Sequence, residues 1–272
     1  LAAFYLKKYK LCYDLYSRAL QFQNLSDNEV FTIKNNRKYS IPYIQDEYIS
    51  YPKKIIENIC QRQNSIQLVT FTITTCKRFD LFEKTMNSFI HCCKDVHKID
   101  KWLCIDDNSS EEDRKKMKEL YPFFNFYYKT LEEKGHPKSM NIIRDNIETE
   151  FVFHMEDDWK FFERRKYITE CMEILSSDLS YGQCLINRNY AETFDHNSII
   201  GGEIKHTQKG LRYCLHEYAN TDEEKKVFIK KHGNKKNCSY WPHYSFRPSL
   251  IKREIFRKIG EFNIKASHFE MD

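Results

Sequence analysis

From residue 66 onward, apolar β-branched runs alternate with amphipathic runs. "IQLVTFTITT" (66–75) is rich in Val, Ile and Thr and predicts a strand. "DLFEKTMNSFIHCC" (80–93) repeats its apolar residues at helical spacing and predicts an amphipathic helix. The alternation continues with strands over 101–107, 123–130 and 150–155, and helices over 110–121, 136–147 and 160–177. Ser110 suits a helix cap and Pro137 a first helical turn. Strand–helix units in this order predict an α/β domain, a doubly wound, mostly parallel sheet flanked by helices. Such sheets bind ligands at the C-terminal ends of their strands. Three polar clusters fall there: Thr75-Cys76-Lys77-Arg78, Asp106-Asp107-Asn108-Ser109 and Glu156-Asp157-Asp158.

The first 65 residues have a different pattern. Residues 1–27 carry helix-period apolar and aromatic positions, among them Tyr5, Tyr9, Leu15, Tyr16 and Leu20, and predict a short helical hairpin. Their spacing resembles the end of a tetratricopeptide repeat, which implies a protein partner for these helices. Residues 28–65 are mixed and polar, with Pro42 and Pro52, and are expected to be a connector packed on the domain. The domain proper is expected over 66–272, in two halves, 66–160 and 161–272.

Bulk composition narrows the classes. A chain of 272 residues with 41% hydrophobic content builds one large domain with at most a small appendage. The net charge of +5 is mild and spread along the chain. It admits an anionic ligand such as a nucleotide but makes no nucleic-acid footprint. No apolar run approaches the roughly 18 to 20 residues of a membrane span, and no secretory signal is visible. A cytoplasmic protein is expected. Leu1 is not an initiator methionine, so the natural start is expected upstream. The ten cysteines form no CxxC and several lie in apolar runs, as small buried hydrophobes of a reducing compartment do. The seven glycines form neither GxGxxG nor GxxxxGK[ST], against a dinucleotide fingerprint and a P-loop.

The acidic triplet is the sharpest chemical signal. Three adjacent carboxylates repel, and a hard divalent cation, Mn2+ or Mg2+, relieves that repulsion through oxygen ligands. In extended backbone Glu156 and Asp158 point one way and Asp157 the other. Asp158 is therefore the expected metal ligand, with Glu156 its helper. Asp157 turns toward structural hydrogen bonds beside the cofactor. Asp106 or Asp107 is suited to a nucleobase or ribose, while one of the two caps the next helix. The aromatic-rich segment from Ser239 offers Trp241, His243 and Tyr244 as sugar or acceptor contacts. Lys134 and Lys138 flank a helix start, where an anion binds readily.

"VTFTITTCKR", "WLCIDDNSS" and "HPKSMNIIRDNIETEFVFHMEDDW" together resemble the nucleotide-binding half of a GT-A-fold glycosyltransferase, nearest to family 2. The resemblance covers about residues 66 to 272. It implies that Thr75, Arg78, Asp107 and Asn141 hold the nucleoside of a nucleotide sugar, with UDP-sugar the expected donor, and that Asp158 binds metal. It also implies that Glu270 or Asp272, after "KIGEFN", deprotonates an acceptor hydroxyl, giving transfer with inversion. Two other readings stay open: a non-catalytic module of helical repeats with an inactive transferase-like domain, and a sugar-1-phosphate nucleotidyltransferase. The second would want a glycine-rich basic loop, and "TTCKRFD" has no glycine.

Overall fold

The computed structural model describes residues 50–62, 68–186, 202–216, 221–232 and 245–265. Among them, helix α1 (Lys53–Gln61) is followed by β1 (Val69–Thr75), α2 (Phe79–Cys92), β2 (Lys101–Asp106), α3 (Glu111–Leu120), β3 (Asn125–Tyr128), α4 (His136–Asn146), β4 (Phe151–Glu156) and α5 (Tyr167–Ser177). Then come β5 (Gln183–Leu185), the hairpin β6 (Gly202–His206) and β7 (Arg212–His216), α6 (Asp222–His232), β8 (Ser249–Lys252) and α7 (Arg253–Ile259). Six strands form one sheet in the order β3-β2-β1-β4-β8-β5. β1 pairs in parallel with β2 and β4, and β2 with β3; β8 runs antiparallel to both β4 and β5. The mostly parallel α/β sheet expected from the alternation is the sheet observed.

Aromatic packing centres on β1. The Phe71 ring lies 4.7 Å from Trp102, 5.0 Å from Phe89 and 5.8 Å from Phe153, centroid to centroid. Phe82, Met86, Phe89 and Ile90 of α2 close this face at helical spacing. Truncating a ring such as Phe71 in a layer this close-packed costs about 3–5 kcal/mol. The alternate residues Thr70, Thr72 and Thr74 face the other side and are buried as well. Their hydroxyls find partners inside: Thr70 Oγ1 lies 2.7 Å from Thr149 Oγ1, and Thr72 Oγ1 lies 2.9 Å from His154 Nδ1. Alternation that resembles a half-exposed strand thus belongs to a central one whose second face is threonine-lined.

Two elements differ from the sequence pattern. The helix expected to begin at residue 160 begins at Tyr167. Its first turns are captured elsewhere: Phe161 N donates to Ser88 Oγ at 3.0 Å, and Arg165 N donates to Cys92 O at 3.0 Å. Asp95, from a distant loop, accepts from Thr169 N at 2.7 Å and so starts the helix. Within the expected connector, Lys53–Gln61 is helical and docks by Ile56, which is 3% exposed, and by the Tyr51 hydroxyl, which donates to Leu120 O. The expected hairpin at 1–27 lies outside the described residues. Five of the eight described cysteines are buried, and all eight are free thiols. No described helix is long and apolar enough to cross a membrane.

Candidate functional site

The chain runs β1, β2, β3 to one side and then returns to place β4 on the other side of β1. The strand order therefore reverses at β1/β4, the point beyond whose strand ends sheets of this kind bind ligands. Register sets Thr75 beside Asp106 on β2, and Thr74 beside Glu156 on β4. The three clusters meet at this edge. Their loops are also joined: Asp107 N donates to Thr75 O at 2.8 Å, and Lys77 N donates to Ser109 Oγ at 2.8 Å. Lys77 and Asn108 both hold positive φ, 54° and 64°. For Lys77 that is a strained conformation, fixed here by the cross-loop bond.

The acidic triplet is divided by environment. Asp157 is fully buried; it accepts from Thr75 Oγ1 at 2.7 Å and from an Arg78 guanidinium nitrogen. Thr85 Oγ1 donates to the Asp157 carbonyl at 2.7 Å, tying the turn to α2. Arg78 also reaches Asp158 at 3.5 Å, a half-exposed contact that solvent screens. Burial first, then the charges of Asp158 and Asp157, push the Glu156 carboxyl up to about 7, against the pull of Arg78 and Arg247. The ionised form of Glu156 thus meets more burial and negative charge than its cationic neighbours offset.

The acids after β2 divide likewise. Asp106 is fully buried, paired with Arg114 Nε at 2.7 Å, and accepts from Ser109 N at 3.3 Å. Its described contacts hold the start of α3, where Ser110 Oγ also accepts from Asp113 N at 3.1 Å. Asp107 is gripped by Lys129 Nζ at 3.1 Å and Gly135 N at 2.9 Å, and keeps 13% of its side chain exposed. Burial opposes its ionisation, but Gly135 N–H, Lys129 and Asn108 together hold the carboxyl below the usual carboxylate range. The Lys129 side chain is fully buried and also donates to Gly135 O at 2.7 Å and Ser139 Oγ at 2.9 Å. Sequence reasoning missed this lysine. Its signal was a lone charge closing the aromatic run "FFNFYYK" at the same sheet edge as the acids.

Asn141 is buried, and both ends of its amide hold one residue: Nδ2 donates to Phe262 O at 2.9 Å, and Phe262 N donates to Oδ1 at 2.8 Å. Its described role is to anchor the segment after α7. Lys134 is exposed and Lys138 half-buried. Trp241, His243, Tyr244, Glu270 and Asp272 lie outside the described residues.

Glu156 and Asp158 offer the hard oxygen donors of a divalent cation, and the under-balanced ionised form of Glu156 fits one. No group of three His, Cys, Asp or Glu able to hold a metal occurs among the described residues. A cation here would complete its shell with substrate phosphate and water, as Mg2+ commonly does. A separate cleft of about 520 Å³, lined by Ile59, Val96, Ile99, Trp102 and Phe123, lies against α1 and the start of β2, away from the acids.

Among solved structures, the chain is similar to the mannosyltransferase PcManGT from Pyrobaculum calidifontis in complex with GDP-Man and Mn2+, at 12% identity and a TM-score of 0.45, over 87% of this chain and 58% of that one. It is similar to S. aureus TarS (1–349) at 12% identity and 0.42, over 71% and 49%. It is similar to GalNAc-T7 with UDP, GalNAc and Mn2+ at 12% identity and 0.46, over 83% and 45%. The chain spans about half the length of these structures. No protein-family model and no curated protein matches it.

Proposed function

We propose that the protein is a glycosyltransferase that moves a sugar from a nucleotide sugar, with UDP-sugar the favoured donor, to an acceptor hydroxyl. One observation carries the reading: the strand-order reversal brings a nucleoside-type acid, Asp107, and a pair of metal-type acids, Glu156 and Asp158, to one edge of the sheet. The motif order seen in the sequence supports it. Asp107, held ionised by Lys129 and Gly135, accepts from a base N–H or ribose hydroxyl. Thr75 and Arg78 fix the buried Asp157, which anchors the turn carrying Glu156 and Asp158. A divalent cation on Glu156 and Asp158, Mn2+ or Mg2+, supplies charge neutralisation of a diphosphate leaving group. Glu270 or Asp272 is the proposed general base, and inversion follows from that assignment. The reading is tested by calorimetry with UDP and Mn2+, followed by a screen of labelled nucleotide sugars for hydrolysis with and without the metal. Saturable UDP binding and metal-dependent release of sugar are expected. Absence of both overturns it.

A further inference from the structure

We propose that the stretch from Lys160 to Lys166, with Lys94 beside it, is a docking surface for an anionic lipid bilayer. Helix α2 starts beside Arg78 at the acidic edge and ends at Cys92. The cations of this surface cluster at the Cys92 end, so they are no part of the strand-end site.

The backbone brings the cations together. After β4 the chain runs beside α2 before α5 begins. Phe161 N donates to Ser88 Oγ at 3.0 Å, Arg165 N to Cys92 O at 3.0 Å, and Lys94 N to Arg165 O at 2.8 Å. Cys93 and Arg165 form a parallel bridge, and Lys94 and Lys166 follow it on the two adjoining chains. Phe161 and Tyr167 turn inward, 6% and 7% exposed, with ring centroids 5.3 Å apart. Phe162, Arg164, Lys166 and Lys94 stay exposed. Two rings therefore pin the ends of the stretch, and its middle presents an aromatic and cations to solvent.

These cations lack the acids that exposed cations meet elsewhere on the molecule. Lys116 faces Glu112, Arg144 faces Glu261, and Lys101 faces Glu148. Lys94, Arg164 and Lys166 make no salt bridge among the described residues. The nearby acids are taken: buried Asp95 accepts from Thr169 N at 2.7 Å, and Glu170 accepts from Arg165 Nε at 2.9 Å. Glu163 is the one exposed acid between residues 160 and 170. Burial pushes the Cys92 thiol up, and the charges of Arg164 and Lys160 pull against it, so both cations reach the end of α2.

The exposed ring selects the partner. Phe162 is 41% exposed in a stretch it shares with Lys160, Arg164 and Lys166. A protein interface has an apolar core depleted of charge, and one ring among cations is not such a core. A bilayer surface fits both parts, because aromatic rings settle at headgroup level while Lys and Arg meet lipid phosphate and carboxylate. Each Lys or Arg near an anionic leaflet strengthens binding by about fivefold.

Vesicle flotation tests this, with phosphatidylcholine alone and mixed with phosphatidylserine, at low and high salt. Wild-type protein should float with the mixed vesicles and not with phosphatidylcholine alone, and added salt should release it. Arg164→Gln with Lys166→Gln should weaken binding by about 25-fold. Phe162→Ser should weaken it by about 10-fold through lost apolar burial. The control pair Arg257→Gln with Lys258→Gln removes the same charge from α7, whose Phe256 packs in the core on the other face of the sheet, and should bind as wild type does. All four substituted sites are exposed, so urea midpoints should stay at the wild-type value. Failure of wild-type protein to float with the mixed vesicles overturns the proposal, as does an equal loss from the control pair. Wild-type binding by Phe162→Ser overturns it too, since a purely ionic surface fits an acidic protein instead.

Discussion

Lys129 makes the strongest single prediction about the site's architecture. Replacing it with methionine keeps most of the volume and removes the ammonium. Three hydrogen bonds go with it, to Asp107, Gly135 O and Ser139 Oγ. Breaking a buried ion pair by removing one partner costs about 3–5 kcal/mol. Asp107 keeps Gly135 N and Asn108 Nδ2, so its charge is not wholly orphaned, and the lower end, about 3 kcal/mol, is expected. For a domain of this size that lowers the melting temperature by about 6–12 °C. Urea denaturation should show a lower midpoint with an unchanged slope. The pH dependence supplies a second check. The depressed Asp107 carboxyl contributes stability that is present above its unfolded pKa and lost as pH falls through the folded value. In Lys129→Met the lysine's share of that contribution is lost, so the gap to wild type should narrow as pH falls through the carboxylate range. A variant within about 0.5 kcal/mol of wild type at pH 7, the range of ordinary surface substitutions, would refute the account.

Asp158→Ala should leave the fold intact, since its side chain is half-exposed, and abolish metal-dependent sugar transfer; a wild-type rate in a labelled-donor assay would refute its role. Glu156 is raised to about 7, so its burial adds stability below the unfolded carboxylate pKa, and that stability is lost as pH rises through 7. Glu156→Gln should therefore stabilise the metal-free protein by about 2–3 kcal/mol at pH 8 and by little at pH 5, as read by urea midpoints. Asn141→Ala strips both partners from buried Phe262 and should cost about 2–4 kcal/mol, with faster amide exchange at Phe262.

How much of this was legible in the sequence follows from the range of each interaction. The parallel strands announce themselves through local β-branched runs, and the acids stand where those runs stop, so the edge at Thr75, Asp106 and Glu156 could be found without a structure. Which acid keeps exposure at that edge could not be read, because Asp106 is claimed by Arg114 and Asp107 by Lys129 only after folding. The late start of α5 has the same cause: Ser88 and Cys92 capture the 161–165 backbone from far away in the chain. Asn141 was expected at a nucleoside, but its partner Phe262 lies 121 residues on. Gln183 and Ser245 fall in a stretch with no period, and only the antiparallel pairing of β5 with β8 makes them partners. α1 was within reach, for "KKIIENICQ" spaces Ile55, Ile56 and Ile59 along one face.

The Ile186–Pro248 and Gln183–Ser245 bonds have an evolutionary consequence. The chain leaves the sheet and returns to it at a fastened collar, so the excursion over 187–244 begins and ends at fixed points whatever its length. Doubling a flexible loop costs only about 0.6 kcal/mol of closure entropy. The two ends are thus a fixed frame, and an insertion between them need not re-register a strand. Chain length can change between β5 and β8 beside a strand-end edge that stays the same.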